Sequence, residues 1–344
     1  MSKPILVIKF GTASITKPNG EINEPTILEI VRQVAALHQQ YHIVLVSSGA
    51  VGAGKHFVNA YKGEIAQRKA AAAIGNPLLV GIYAKFFSAY GIPIAQSLCE
   101  RQHFANRSQF LQLKETYQEL WANGVIPIAN ENDVVSSLEL KFSDNDELAT
   151  LIAVGFEAEA LLFSTSVGGL LDKEGKIVPI VEHIDSSVLG LADDSKSSLG
   201  LGGMVSKLTF ARLATRMGIK VVIFGVNTPD GILKALNQQT GTVFAAQESN
   251  FSARQKWLAS GSLVTGQVQI DAGAVKALQK RKSLLAVGVM QILGAFEQGE
   301  VIEILDSHQL PIAVAKAKES SEVLVHKLKT QNVEVANADD IVLL

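Results

Sequence analysis

The 344-residue chain has a single cysteine, Cys99, which excludes an intramolecular disulfide and fits a reducing compartment. Charge of one sign is also missing. Its 31 Lys and Arg nearly balance its 33 Asp and Glu, which argues against a protein whose main task is covering nucleic-acid phosphates. The longest uncharged apolar stretch, Ser283 to Phe296, falls short of the roughly 20 residues needed to span a bilayer and contains two glycines. Met1-Ser2-Lys3-Pro4 leads straight into a strand-like run with no secretion-signal pattern, so the expected location is the cytoplasm. What the chain does have is apolar residues, 47% of the total, enough to offset chain entropy with sizeable cores. The length favours two domains.

Short apolar runs recur between stretches of helical spacing. Ile5-Leu6-Val7-Ile8 is followed by a helix over 24–40 with Ile27, Ile30, Val31, Val34 and Leu37 on one face, then by Ile43-Val44-Leu45-Val46. Runs at 92–95, 125–128, 160–163 and 220–224 extend the alternation, which predicts an α/β architecture with a mainly parallel sheet. Residues 168–180, with a turn at Lys173-Glu174-Gly175-Lys176, read as a hairpin excursion. Residues 193–203 read as a mobile polar loop before a helix starting near Met204. After Gly241 short β-rich runs take over, such as 264–270 and 299–305. The boundary is therefore placed within 251–258, giving domains 1–250 and 258–344.

Polar clusters fall at the predicted strand ends and helix starts. Lys9-Phe10-Gly11-Thr12 puts a lysine at the end of a strand and bare amides after it, a pattern that suits an anion; the plainer reading is a lysine reaching solvent. Ser47-Ser48-Gly49-Ala50 has the same placement, with a simple cap and tight turn as the alternative. Asn130-Glu131-Asn132-Asp133 is too polar to be buried idly. Ser143-Asp144-Asn145-Asp146 precedes an apolar run and reads as a helix N-terminus. The two acidic clusters lack the spacing of a Ca²⁺ loop. Gly200-Leu201-Gly202-Gly203-Met204-Val205-Ser206-Lys207 supplies glycine amides and then an early helical lysine; a flexible linker is the alternative. It is the joint order of these clusters that makes accident improbable.

In that order the clusters resemble the glutamate 5-kinases of the amino acid kinase family, over nearly the whole chain. Gly261 to Leu344, with Gly299-Glu300-Val301-Ile302 and the closing Asp339-Asp340-Ile341, is similar to the PUA domain that many bacterial members carry. The resemblance implies an open, mainly parallel sheet sandwiched by helices, followed by a small β-rich domain. It implies ATP-dependent phosphorylation of the L-glutamate side-chain carboxylate to γ-glutamyl 5-phosphate and ADP, opening proline biosynthesis. Ser48, Asp133 and Asn145 would hold glutamate, Asp133 at the ammonium and the other two at carboxylates. Lys9 and Lys207 would flank the phosphates, with Asp146 orienting both lysines. Gly11 and Gly49 would give amides to the transferred phosphoryl group. Ser164, Thr165, Leu201, Gly202, Gly203, Met204, Val205, Ser206 and Lys207 would line the nucleotide. Mg²⁺ would ride on ATP oxygens without a dedicated protein cage.

The resemblance further implies proline as feedback inhibitor, a glutamyl phosphate reductase as pathway partner and a homo-oligomer, with the helical stretch 63–90 as a candidate surface. Two departures stand out: Ser164-Thr165 replaces the family's Thr-Asp, and Leu201 replaces a threonine. Two other readings stay open at this level. One is a relative acting on aspartate, acetylglutamate or carbamate, against which Asp133 favours a free amino group. The other is a regulatory or RNA-binding protein whose kinase fold has lost turnover.

Overall fold

The computed structural model describes residues 3–17, 19–135, 144–193, 203–249, 255–256, 264–330 and 332–343. The chain divides into two units, residues 1–103 with 107–249, and residues 104–106 with 250–344.

Up to residue 249 the described elements run β1 (Ile5–Phe10), α1 (Thr12–Ile15), α2 (Glu24–Leu37), β2 (His42–Ser47), α3 (Ala50–Gly54), α4 (Ile65–Ser88), β3 (Ile94–Cys99), α5 (Arg101–Ala105), α6 (Arg107–Ala122), β4 (Ile126–Glu131), α7 (Asn145–Phe156), β5 (Ala160–Thr165), β6 (Ile180–Val181), α8 (Ser186–Asp193), α9 (Met204–Arg216), β7 (Lys220–Gly225), α10 (Gly231–Leu236) and β8 (Thr242–Phe244). The strands form one sheet in the order β3-β4-β2-β1-β5-β7-β8-β6. Pairing is parallel except between β7 and β8.

The central strands are buried on both faces, which is why they read as continuous apolar runs rather than alternating ones. Alternation nevertheless decides where each side chain goes. Leu6, Ile8 and Phe10 of β1 join a core with Ile27, Ile30 and Val34 of α2, Leu79, Tyr83 and Phe87 of α4, and Ile232 of α10. The opposite face of the sheet is covered by α7 and α9, which pack on β1 and β7. Lys9 lies between Ile8 and Phe10 and so turns toward that second face.

α4, with 24 residues, is the helix among the described residues that is long and apolar enough to cross a membrane. One face of it packs into the core, through Leu79, Tyr83 and Phe87. A Cβ on Gly75 would lie 1.7 Å from the Ala50 carbonyl oxygen, and one on Gly54 would lie 1.9 Å from that of Ala71, so α3 and α4 meet backbone to backbone. Gln33 ties α2 to α10: its Oε1 accepts from the Ile232 and Leu233 amides at 2.8 and 3.3 Å.

Two strands differ from the sequence expectation. β3 and β4 extend further toward the C-terminus than 92–95 and 125–128, so Asn130 and Glu131 are strand residues, opposite Leu98 and Cys99, rather than part of a loop. Residues 168–180 keep the expected excursion in a short form, the antiparallel bridge Leu171–Ile177 closing around a turn at 172–175, and Ile180–Val181 joins the main sheet beside β8. Of the loop expected over 193–203, residues 194–202 lie outside the described residues.

The second unit contains β9 (Val264–Ile270), α11 (Ala272–Gln279), β10 (Leu284–Leu285), β11 (Val289–Leu293), β12 (Val301–Leu305), β13 (Pro311–Lys316), α12 (Ser321–His326), β14 (Glu334–Ala336) and β15 (Ile341–Leu343). Five strands pair in the order β11-β9-β12-β13-β15, with β9 and β12 parallel, and β10 pairs with β14. Val268, Ile270, Ile302, Ile304, Ala313 and Ala315 belong to a core of its own.

Candidate active site

Two lysines from different elements meet on one carboxylate. Lys9 of β1 brings its Nζ to 2.5 Å from Asp146 Oδ1, and Lys207 of α9 brings its Nζ to 3.0 Å from Asp146 Oδ2. Both contacts are ion pairs, one to each carboxylate oxygen. Exposure is 4% for Lys9, 0% for Asp146 and 6% for Lys207, so all three charges are taken out of water. Burial lowers the pKa of Lys9, reinforced by repulsion from Lys207 and opposed by Asp146. Burial pushes the Asp146 carboxyl up, but the two ammonium groups outweigh it and leave the pKa below its ordinary value. Asp146 thus holds two like charges side by side, an arrangement suited to a polyanion.

Asp146 is placed by its neighbour. Asp144 is the N-cap of α7, and its Oδ1 accepts from the Asp146 and Glu147 amides at 2.8 and 3.2 Å. Its Oδ2 accepts from Ser206 Oγ at 2.5 Å, which pins the first turn of α9, and with it Lys207, to the start of α7. Three other helices begin differently. Gly11, Gly49 and Gly203 are the N-caps of α1, α3 and α9, and none has a capping side chain, so the first-turn amides are not consumed by a cap. Gly49 has φ 102°, a left-handed conformation that disfavours any side chain. A Cβ on Gly11 would sit 3.5 Å from Lys9 Nζ, which places that glycine beside the ammonium.

Next to the charged group runs a chain of side-chain amides. Asn145 Nδ2 donates to Ser48 Oγ and to Asn130 Oδ1, each at 2.8 Å. Asn130 Nδ2 donates to Asn76 Oδ1 at 3.0 Å, and its Oδ1 also accepts from the Glu131 amide at 2.9 Å. Ser48 itself is anchored by its N–H to the Phe10 carbonyl at 3.0 Å, next to Gly11. The resemblance places Asn145 at a substrate carboxylate. Both of its amide hydrogens are already committed, so what it leaves open is Oδ1, an acceptor.

The other singled-out residues are distributed as follows. Asp133 is half-buried in the turn after β4, which is tied down by the Asn132 amide donating to the Cys99 carbonyl at 2.8 Å. Ser164 is buried and its hydroxyl donates to Ser14 Oγ at 2.9 Å, joining β5 to α1. Thr165 is half-buried at the end of β5. Met204, Val205, Ser206 and Lys207 form the first turn of α9, while Leu201 and Gly202 lie outside the described residues. The capping expected of the 143–146 cluster falls to Asp144, whereas Asn76 on α4 was missed in the sequence. An isolated polar residue on an apolar helix was the only signal for Asn76.

The profile of the Amino acid kinase family matches residues 4–225, which contain every one of these residues. The chain belongs to the amino acid kinase family. The PUA domain profile matches residues 266–337. Among curated relatives, the glutamate 5-kinase of Haemophilus influenzae (strain PittEE) is 38% identical over 336 residues, 94% of this chain and 91% of the relative. That of Rippkaea orientalis is 39% identical over 317 residues, 88% and 86% of the two chains. Among solved structures, a Giardia carbamate kinase superposes with a TM-score of 0.52 at 19% identity, covering 72% of this chain and all of that one, a likeness of fold. As in other open parallel sheets, the polar and charged residues described above gather at the carboxyl ends of the strands: Lys9 on β1, Ser48 after β2, Asn130 on β4 and Ser164 on β5.

Proposed function

We propose that this chain is an ATP-dependent kinase that phosphorylates the side-chain carboxylate of L-glutamate, giving γ-glutamyl 5-phosphate and ADP. The observation that carries this reading is the buried Lys9–Asp146–Lys207 group, two ammonium charges gathered where the strands end. Relatives named glutamate 5-kinase, 35–39% identical over most of their length, support glutamate as the acceptor. A relative by fold, carbamate kinase from Giardia lamblia, binds AMP-PNP, which supports a nucleoside triphosphate as donor.

The chemistry follows from charge. A γ-carboxylate is already ionised at neutral pH and needs no general base, so the obstacle is repulsion between the carboxylate and the triphosphate. Lys9 and Lys207 would offset that charge in the in-line transition state, and the uncapped amides after Gly11 and Gly49 would bind the oxygens of the transferred group. Lysines and bare amides are anion ligands, so Mg²⁺ would be carried by ATP and would help neutralise the triphosphate. Ser48, Asp133 and Asn145 bind glutamate, and the first turn of α9 together with Ser164 and Thr165 borders the nucleotide. The acyl phosphate is labile, which calls for a reductase to consume it in the pathway to proline. Proline inhibition through the glutamate pocket, assembly into an oligomer and a cytoplasmic location complete the reading.

The test is ATP-dependent acyl hydroxamate formation with hydroxylamine across a panel of acids. Glutamate is expected to give the strong signal; a folded, Mg²⁺-supplied protein that is silent with glutamate, or prefers another acid, refutes the proposal.

A further inference from the structure

The direction of the amide chain from Asn76 to Ser48 is set by one backbone group. The Glu131 N–H can only donate, so the Asn130 atom 2.9 Å from it must be Oδ1. The Asn145 atom 2.8 Å from that oxygen must then be Nδ2, and its second hydrogen goes to Ser48 Oγ. On the far side Asn130 Nδ2 has to donate, and it finds Asn76 Oδ1 at 3.0 Å. No amide in the series can turn over alone without setting donor against donor or acceptor against acceptor. Ser48, having accepted, keeps its hydroxyl proton to give. Asn145 Oδ1 is buried without a hydrogen-bond partner, as is Asn76 Nδ2.

We propose that Asn76 is a positioning residue for the acid substrate. By holding Asn130, it keeps Asn145 presenting Oδ1 to the substrate ammonium and Ser48 presenting its hydroxyl to a substrate carboxylate. Asn76 is suited to this because it cannot move: it is 4% exposed and follows Gly75, whose backbone is pressed against Ala50 of α3. An acceptor and a donor fixed side by side match a free α-amino acid and disfavour an acid that lacks the ammonium, because Asn145 Oδ1 would then stay buried and unpaired. This inference rests on the reading of the chain as a glutamate kinase.

The test is steady-state hydroxamate kinetics of the full chain with glutamate, with glutarate, which lacks the ammonium, and with varied ATP. Asn76→Leu, which removes the acceptor for Asn130, is expected to raise the KM for glutamate about tenfold and leave the KM for ATP within about twofold. Its preference for glutamate over glutarate should shrink. Asn76→Ala serves as a smaller variant without the acceptor. The proposal is overturned if both KM values move together or if the glutamate KM does not move. Failure of both the Leu and the Ala variant to fold would mark Asn76 as purely structural and overturn it too. A parent protein silent with glutamate defeats the kinase reading itself, whereas an active parent with unselective Asn76 variants defeats only this inference.

Discussion

Asp146 is the residue on which the charged group depends. Replacing it by Ala leaves two buried ammonium groups uncompensated, an expected loss of about 3–5 kcal/mol in urea unfolding. The sign of its pH dependence follows from its lowered pKa. Between the ordinary carboxyl value of 3.8 and the lower folded one, the unfolded chain binds the extra proton. The stabilisation is therefore present above the ordinary value and is lost as pH falls through the folded one. Unfolding free energy measured against pH should drop along that acid limb, and the drop should flatten in Asp146→Asn. Lys207→Ala should act on turnover instead, lowering kcat about 100- to 1000-fold, because it removes charge stabilisation of the transferred group. Steady-state kinetics check this, and a rise in glutamate KM at constant kcat would contradict the role.

Between elements, two contacts position the site. Asp144 caps α7 and receives Ser206 from α9, so one side chain registers the two helices that carry Asp146 and Lys207. Asp144→Ala and Ser206→Ala should each destabilise by about 1 kcal/mol, and the double variant should lose less than the sum, as a double-mutant cycle by thermal unfolding would show. Additive losses would mean that the helices are registered by other contacts. The second contact is the glycine crossing of α3 and α4. In Gly75→Ala the new methyl meets a backbone carbonyl rather than a flexible side chain. Helix displacement should cost about 1–3 kcal/mol, visible as a lower Tm. Because Asn76 is the next residue, glutamate KM should rise in the same variant.

For the whole molecule, the first unit carries the described site residues and a core separate from that of the second. We expect a chain ending after Ser249 to unfold cooperatively and to form hydroxamate; a non-cooperative, inactive fragment would show that the division is not one of folding. Much of this architecture was legible in the sequence. Buried parallel strands announce themselves as apolar runs, and α2 announces itself by the spacing of Ile27, Ile30 and Val34. β4 was read too short because Asn130 and Glu131 are polar, yet they pair with β3 and are buried. The Asn130 side chain is accommodated by Asn76 and Asn145, which no local pattern reveals.

The sequence by itself determined the strand-helix alternation, the lysine at the end of β1, the glycines before α1, α3 and α9, and the acidic start of α7, because each follows from the geometry of a few neighbouring residues. Only the tertiary structure decided that Lys9 and Lys207 share the two oxygens of Asp146, that Ser206 donates to Asp144, and that Asn76 reaches Asn130 across 54 residues. Hydrogen bonds and ion pairs between distant elements leave no periodic trace along a chain. They exist because the sheet alternation and the helix packing happen to aim those groups at one another.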